Sequence, residues 1–341
     1  MHVRDVLVVG AGPAGLATAI AAKRAGLSYL VVEKGLLVNT VFHYPRNMVF
    51  FTTPELLEVG DLPMVTPYAK PTREEALKYY RRVVDTYALE IAFDEEVLRL
   101  MPEVDPSGAR AFAVDTRSGR GVRRLLHARF VVLATGAFDA PNLVGVPGED
   151  LPHVSHYFRE VHPYYRQRVV IVGGENSAAE AALELYRNGA QVTLVHRRST
   201  LGSSIKYWVR PDIENRIKEG SVAAWFDTRL VEIRPTEVVV ERHGGHQALP
   251  ADAVLLMTGY HSDEGLFDRT GVAYDPTNFA PTFDPQTFET NVEGLFLAGA
   301  VQMGRDSGQI FIENGRFHGG QVVRVIAERL GVTSPAAVGP V

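Results

Sequence analysis

Residues 10–15 read GAGPAG, between a strand-like apolar run, Val6 to Val9, and a helix-like run, Leu16 to Ala25. A glycine loop at a strand-to-helix junction leaves few folds open. The first glycine permits a tight turn, the second lets the backbone approach a pyrophosphate, and the third allows close helix–strand packing. The pattern then recurs. "VLVVGAGPAGLATAIAAKRAGLSYLVVEK", from Val6, and "VVIVGGENSAAEAALELYRNGAQVTLVHRR", from Val169, align at an offset of 163, matching Gly10 with Gly173, Gly15 with Ala178, Gly26 with Gly189 and Glu33 with His196. Each copy reads strand, glycine turn, helix, glycine stop, strand, which is a βαβ unit of a parallel sheet. The expected fold is α/β, with two Rossmann-like (three-layer ββα) dinucleotide-binding domains. A chain of 341 residues is long enough for about two domains.

The bulk properties narrow the function classes. A formal net charge of −5 gives no electrostatic case for nucleic acid or an anionic membrane. With no cysteine, disulfides, thiolate metal sites and cysteine nucleophiles are excluded, and no metal is expected. No stretch of about 18 apolar residues suggests a membrane span. No charged run followed by an apolar one precedes Val6, so no signal peptide is expected and a cytoplasmic location is the default. The last residues, Ser334 to Val341, read as a loose tail.

The two copies differ where ligands would differ. In the first, Glu33 ends the second strand, where a carboxylate would bind ribose hydroxyls, although a surface Glu after such a strand is the bland alternative. In the second, the middle glycine is Glu175 and the third is Ala178, and the strand ends in His196-Arg197-Arg198. Alanine is tolerable at a helix–strand contact; Glu175 puts a side chain near a phosphate site, or points to solvent. A carboxylate at the strand end would repel a 2′-phosphate, whereas two guanidiniums can grip it bidentately. The second copy therefore reads as an NADPH site rather than an NADH site, against a solvated basic pair as the alternative. Two strand-end turns, Thr135-Gly136 and Thr258-Gly259, mark crossings between nucleotide domains, and a strand at Leu295 to Ala298 leads through a loop to a long helix expected from about Gln309.

The two-dinucleotide plan resembles the thioredoxin-reductase branch of flavoproteins. More closely, "YPRNMVFFTTPELLEVGD", "KPTREEALKYYR", "HYFREVHPYYRQRVVIVGGENSA", "SIKYWVRPDIENRI" and "IFIENGRFHGG" resemble the YpdA family of bacillithiol disulfide reductases. The resemblance implies an FAD domain over 1–155 and 262–341 with an NADPH domain, 156–261, inserted in it. It implies FAD at Gly10, Gly12, Pro13, Ala14, Gly15, Glu33, Lys34, Thr52, Val97, Thr135, Gly136, Ala300, Ile310 and Phe311. It implies NADPH at Gly173, Gly174, Asn176, Ser177, His196, Arg197, Arg198, Thr258 and Gly259. By analogy, a hinge lies near 140–160 and 258–265. Glutathione-reductase-like flavoproteins carry Gly-Asp where this chain has Gly299-Ala300; the YpdA family also lacks that aspartate. The family's redox cysteine falls at Ala14 here, and the CxxC pair of thioredoxin reductases is absent.

These readings imply an NADPH-dependent flavoprotein oxidoreductase that passes electrons to a low-molecular-weight disulfide. Ala14 opens a second possibility, direct transfer from flavin to a quinone or an electron-carrier protein. A flavin monooxygenase is a third, weakened by the absence of F-x-G-x-x-x-H around Val154 to Pro163; a non-enzymatic NADPH or redox sensor is a fourth. An assembly of identical chains is compatible with all of them. His43 and His318 are candidate proton donors, with His318 more readily a packing residue on a face with Phe311 and Val322. Glu313 and Arg316 are spaced for a local ion pair. Tyr79, Tyr80 and Trp208 read as core or interface aromatics.

Overall fold

The computed structural model describes residues 2–105, 107–305 and 308–332. The tail from Ser334 to Val341 lies outside them. Two compact units divide the chain: Met1–Phe42, Asn47–Ala140 and Tyr260–Val341 form one, His43–Arg46 and Pro141–Gly259 the other.

The first unit is built on β1 (Val3–Val9), the helix α1 (Pro13–Arg24), β2 (Tyr29–Glu33), β3 (Ile91–Phe93), β4 (Glu95–Val104), β5 (Arg110–Ser118) and β6 (Arg123–Leu133). Their sheet order is β3-β2-β1-β6-β5-β4. β1 lies parallel to β2 and β6, with Val6 opposite Tyr29 and Val9 opposite Leu133. β5 and β4 fold back antiparallel. The returning strand Leu295–Leu297 joins β6 in parallel. The central strands are apolar on both faces, as expected where crossover helices cover a parallel sheet; Leu7, Val32, Val131, Leu133 and Leu297 are almost fully buried in one core. The helix His318–Arg329 crosses α1 closely, because a Cβ at Gly319 would lie 2.4 Å from Thr18 Oγ1 and 2.6 Å from its backbone nitrogen.

The C-terminal helix is not the single long element expected from Gln309. A short helix spans Ile312–Gly315 and the main one begins at His318. Asn314 explains the late start: its side chain accepts from Phe311 N–H (2.8 Å) and donates to the Gln309 carbonyl (2.9 Å), holding residues 309–311 outside the helix. Between the two pieces the Phe317 N–H bonds the Asn314 carbonyl, three residues back, which tightens the turn.

The second unit repeats the βαβ plan. Its five-stranded sheet runs Ala223–Trp225, Gln191–Val195, Arg168–Val172, Ala253–Leu256 and Val154–Ser155, all parallel. A three-stranded antiparallel sheet, Thr228–Arg234, Glu237–Arg242 and Gly245–Pro250, accompanies it. The helix Asn176–Arg187 repeats α1 residue for residue at the offset of 163. Residues 141–155 pack with this unit, earlier than a boundary at 155 would put them. Glu149 accepts from Val144 N–H (2.8 Å) and Gly145 N–H (2.7 Å), Ile233 N–H bonds the Pro147 carbonyl (2.9 Å), and Val144, Val146 and Leu151 lie against the same core as Ile233 and Val254.

Candidate functional site: two dinucleotide loops

In the first unit, Gly10 turns the chain out of β1 with φ +107°, and a Cβ there would lie 2.6 Å from the Ala134 carbonyl oxygen. A Cβ at Gly15 would lie 1.9 Å from the Gly10 carbonyl oxygen, so both positions require glycine for packing. Gly12 differs. Its φ of −77° suits any residue, and nothing lies within 4 Å of a Cβ built there. Glycine at 12 is therefore not a need of the fold; it leaves the helix start open to close approach by a phosphate. Pro13 occupies the first turn of α1, where the missing N–H costs nothing.

Glu33 is buried at the end of β2 and turns back onto this loop. Its carboxylate accepts from Ala11 N–H and Gly35 N–H, both at 2.7 Å. Burial raises its pKa above the ordinary carboxylate range in spite of those two bonds. Lys34 pairs with Asp139 at 2.8 Å. Ala134 N–H bonds the Val9 carbonyl, and the next residue, Thr135, has a buried hydroxyl without a hydrogen-bond partner, followed by the left-handed Gly136. Thr52 is buried, and Val97 belongs to the core of this unit together with Val32. Ala300 lies in the short 3-10 helix Gly299–Met303; Ile310 N–H meets Met303 Sδ at 2.9 Å, and Phe311 packs edge-on to Phe51. Ala14 faces Gly299, where an added Cβ would stand 2.7 Å from the Ala14 Cβ.

The second unit carries the same construction with other side chains. Gly173 has φ +155°, and a Cβ there would lie 2.5 Å from the Met257 carbonyl oxygen. His196 occupies the place of Glu33 and folds over the same loop, its ring 2.4 Å from where a Gly174 Cβ would be. Copy one accommodates Ala11 there because a carboxylate is slimmer than an imidazole. His196 Nε2 is buried without a hydrogen-bond partner, and burial, reinforced by the Arg198 charge, lowers the ring's pKa, which favours the neutral form. Arg197 and Arg198 are exposed beside it. Asn176 stitches the following loop to the helix start, donating to the Ser204 carbonyl and accepting from Lys206 N–H, both at 2.9 Å. Ser177 follows it in the first turn. The Thr258 hydroxyl donates to the Asn142 carbonyl at 2.6 Å, and Gly259 is left-handed. Glu175 is exposed, as one of the two readings had it, but its carboxylate has partners. Its backbone is extended at φ −109°, so a non-glycine residue is unstrained, and its carboxylate accepts from the Ser204 hydroxyl and lies 3.8 Å from Arg198.

The candidate proton donors resolve differently. His43 is half-buried at the end of a five-residue helix, Asn39–His43. His318 Nδ1 accepts from Gly299 N–H (3.2 Å) and from the Gln302 amide (2.9 Å), and its ring stacks on Phe288 at 4.8 Å. Burial lowers its pKa, and the Gly299 bond requires Nδ1 unprotonated, so the ring is a neutral packing element. Arg316 does not pair with Glu313; it donates to the carbonyls of Glu55 and Glu58, both at 2.6 Å. Tyr79 and Tyr80 are core residues with hydroxyls on the Leu62 and Leu57 carbonyls, whereas Trp208 is half-exposed against Tyr207. Sequence reasoning missed the loop of Gly202 and Ser204, although the run "LGSS" after the arginine pair was a signal for it. Among the described residues, no group of acidic, histidine or cysteine side chains could hold a metal ion, and no helix is long and apolar enough to cross a membrane.

The residues present fit two dinucleotides. Each unit has a helix start freed by its strand-end glycine and a buried polar atom without a partner beside the loop, Thr135 Oγ1 in one and His196 Nε2 in the other. Comparison with known proteins agrees. The sequence profile of the family described as "Pyridine nucleotide-disulphide oxidoreductase" matches residues 7–299. The chain is 40% identical over 325 residues to the bacilliredoxin reductase Bdr of Bacillus subtilis (strain 168), covering 95% of this chain and 97% of that protein. Among solved structures, the bacillithiol disulfide reductase Bdr (YpdA) from Bacillus cereus superposes with a TM-score of 0.92 at 38% identity, covering 96% of this chain and all (100%) of the other. The enzyme of the same name from Staphylococcus aureus gives 0.89 at 36% identity, covering 96% and 99%. The fold is that of thioredoxin reductases, one of which, from T. acidophilum, superposes with a TM-score of 0.74 at 20% identity. The chain belongs to the pyridine nucleotide-disulphide oxidoreductases and is an oxidoreductase of that family.

Proposed function

We propose that this protein is an NADPH-dependent FAD enzyme that reduces a small disulfide, bacillithiol disulfide being the candidate in the names of the two solved Bdr structures. The observation that carries the reading is the contrast between the two strand ends: a buried carboxylate, Glu33, on the first loop and an exposed arginine pair, Arg197 and Arg198, on the second. On this reading the first unit holds FAD. Gly10, Gly12, Pro13, Ala14 and Gly15 receive the pyrophosphate; Glu33, Lys34 and the Val97 strand border the adenosine end; Thr52, Thr135, Gly136, Ala300, Ile310 and Phe311 line the rest. The second unit holds NADPH on Gly173, Gly174, Asn176 and Ser177, with His196, Thr258 and Gly259 along its length and the 2′-phosphate on Arg197 and Arg198. When bound, the cofactors supply hydride transfer from NADPH to flavin and electron transfer onward to the acceptor. The chain's own part is to bind, orient and exclude water. No protein thiol takes part, because the chain has no cysteine.

A second reading rests on Ala14. Attack on a disulfide is helped by a thiolate, and with alanine at the family's cysteine position a quinone or carrier protein becomes the competing acceptor. A cytoplasmic setting goes with either reading, and a homo-oligomer is the assembly that light scattering would look for. The test of the cofactor assignment is spectroscopic. The purified protein is expected to be yellow, with close to one FAD per chain, and to bleach much faster with NADPH than with NADH. A colourless protein that retains NAD on the Gly10 loop would overturn it.

A further inference from the structure

Glu175 stands where the first loop has Gly12, the residue that leaves phosphate room to approach. Its side chain is received by a built slot. A Cβ at Gly202 would lie 2.0 Å from both Glu175 carboxylate oxygens, so in the conformation seen here the carboxylate rests directly over the bare Cα of Gly202. Gly202 N–H bonds the Gly174 carbonyl at 2.8 Å, which fixes the slot to the glycine loop itself. The Ser204 hydroxyl closes it by donating to the carboxylate. The open side faces Arg198, 3.8 Å away, with both side chains half-exposed at 62% and 50%.

We propose that Glu175 is a counter-ion latch on Arg198, a positioning residue that occupies the guanidinium in the free protein and yields it to the 2′-phosphate when NADPH binds. The inference rests on the reading of Arg198 as a 2′-phosphate contact. Two anions then compete for one cation, and the latch lowers the affinity for any ligand carrying a 2′-phosphate while leaving a ligand without one untouched. Selectivity for NADPH over NADH is thereby set by two residues of opposite sign, not by the arginines alone. Because the pair is exposed, the latch is weak and opens readily; its size is that of an exposed ion pair, about two- to fivefold in affinity.

The test uses FAD-loaded enzyme and two probes that differ only in the 2′-phosphate, adenosine 2′,5′-bisphosphate and 5′-AMP, with dissociation constants from calorimetry. Glu175→Gln keeps the shape and the Ser204 contact and removes the charge. It is expected to tighten the bisphosphate about two- to fivefold and to leave 5′-AMP within twofold. In a chain that also carries Arg198→Ala the effect of Glu175→Gln is expected to vanish, since nothing remains to be latched. Weaker bisphosphate binding in Glu175→Gln, equal change for both probes, or an effect that persists without Arg198 would each overturn the latch. Arg198→Ala alone separates the two claims. If it leaves the preference for the bisphosphate unchanged, the 2′-phosphate reading fails; if it abolishes the preference while Glu175→Gln changes nothing, only the latch fails.

Discussion

Gly299→Ala is the substitution whose cost the structure specifies best. Gly299 begins the 3-10 helix after the strand Leu295–Leu297 with φ +77°, and a Cβ there would stand 2.7 Å from the Ala14 Cβ at the second residue of α1. Two penalties follow. A left-handed conformation costs an L-residue about 1–2 kcal/mol, and forcing a methyl into a filled contact costs about 1–3 kcal/mol. Their sum, about 2–5 kcal/mol, is a large part of the stability of an ordinary domain, about 5–15 kcal/mol. For a unit of this size it corresponds to a fall in Tm of about 5–15 °C. Thermal unfolding by circular dichroism, with FAD release read by fluorescence, measures it. The origin is separated by repeating the substitution in an Ala14→Gly background, which removes the struck methyl. There the penalty of Gly299→Ala should shrink to the backbone part, about 1–2 kcal/mol. A fall below 2 °C in the single variant, or the same penalty in both backgrounds, would refute the packing of α1 against Gly299 as described.

Replacing Arg197 and Arg198 together by alanine should raise the NADPH KM about 10- to 100-fold and leave the NADH KM within twofold, because a charged hydrogen bond contributes about 1.5–3 kcal/mol and these exposed ones sit at the low end; steady-state kinetics with both cofactors decides, and equal losses would make the pair structural. His318 has its pKa lowered by burial from an ordinary value of about 6.5. The unfolded chain therefore binds the extra proton first as pH falls through that value, so stability attributable to the neutral ring is present above it and lost below it. Melting temperatures from pH 8 to pH 5 should fall more steeply for the parent protein than for His318→Gln, and parallel profiles would contradict the buried neutral ring. Ala14→Cys should fold and retain FAD, and should speed reduction of a small disulfide while quinone reduction changes little; equal disulfide rates for the two proteins would mean that direct transfer from flavin suffices.

What was legible in the sequence was local or periodic. The duplicated unit, the turns at Gly10 and Gly173 and the exposed Arg197-Arg198 pair follow from backbone sterics and strand-end position, which short segments encode. The two helices even share their bounds at the repeat offset, Pro13–Arg24 and Asn176–Arg187. What was not legible depends on partners distant in the chain. Glu175, though exposed, is held by the Ser204 hydroxyl with its carboxylate over Gly202, 27 residues on. His196 requires glycine at 174 because its ring covers that backbone. Arg316 leaves Glu313 for the carbonyls of Glu55 and Glu58, which no helical spacing announces. The start at Ile312, not at Gln309, comes from Asn314 holding residues 309–311 outside the helix, a side-chain–backbone competition that a periodic apolar pattern hides.

The most direct test of the proposed reaction is a single turnover. The enzyme is reduced anaerobically with one equivalent of NADPH and mixed in a stopped-flow instrument with bacillithiol disulfide, while flavin absorbance and free thiol are followed. The account predicts that the yellow colour returns and that two thiols are released per flavin reoxidised, with no cysteine in the chain to carry them. A flavin that stays reduced with the disulfide but is promptly reoxidised by a quinone would contradict it.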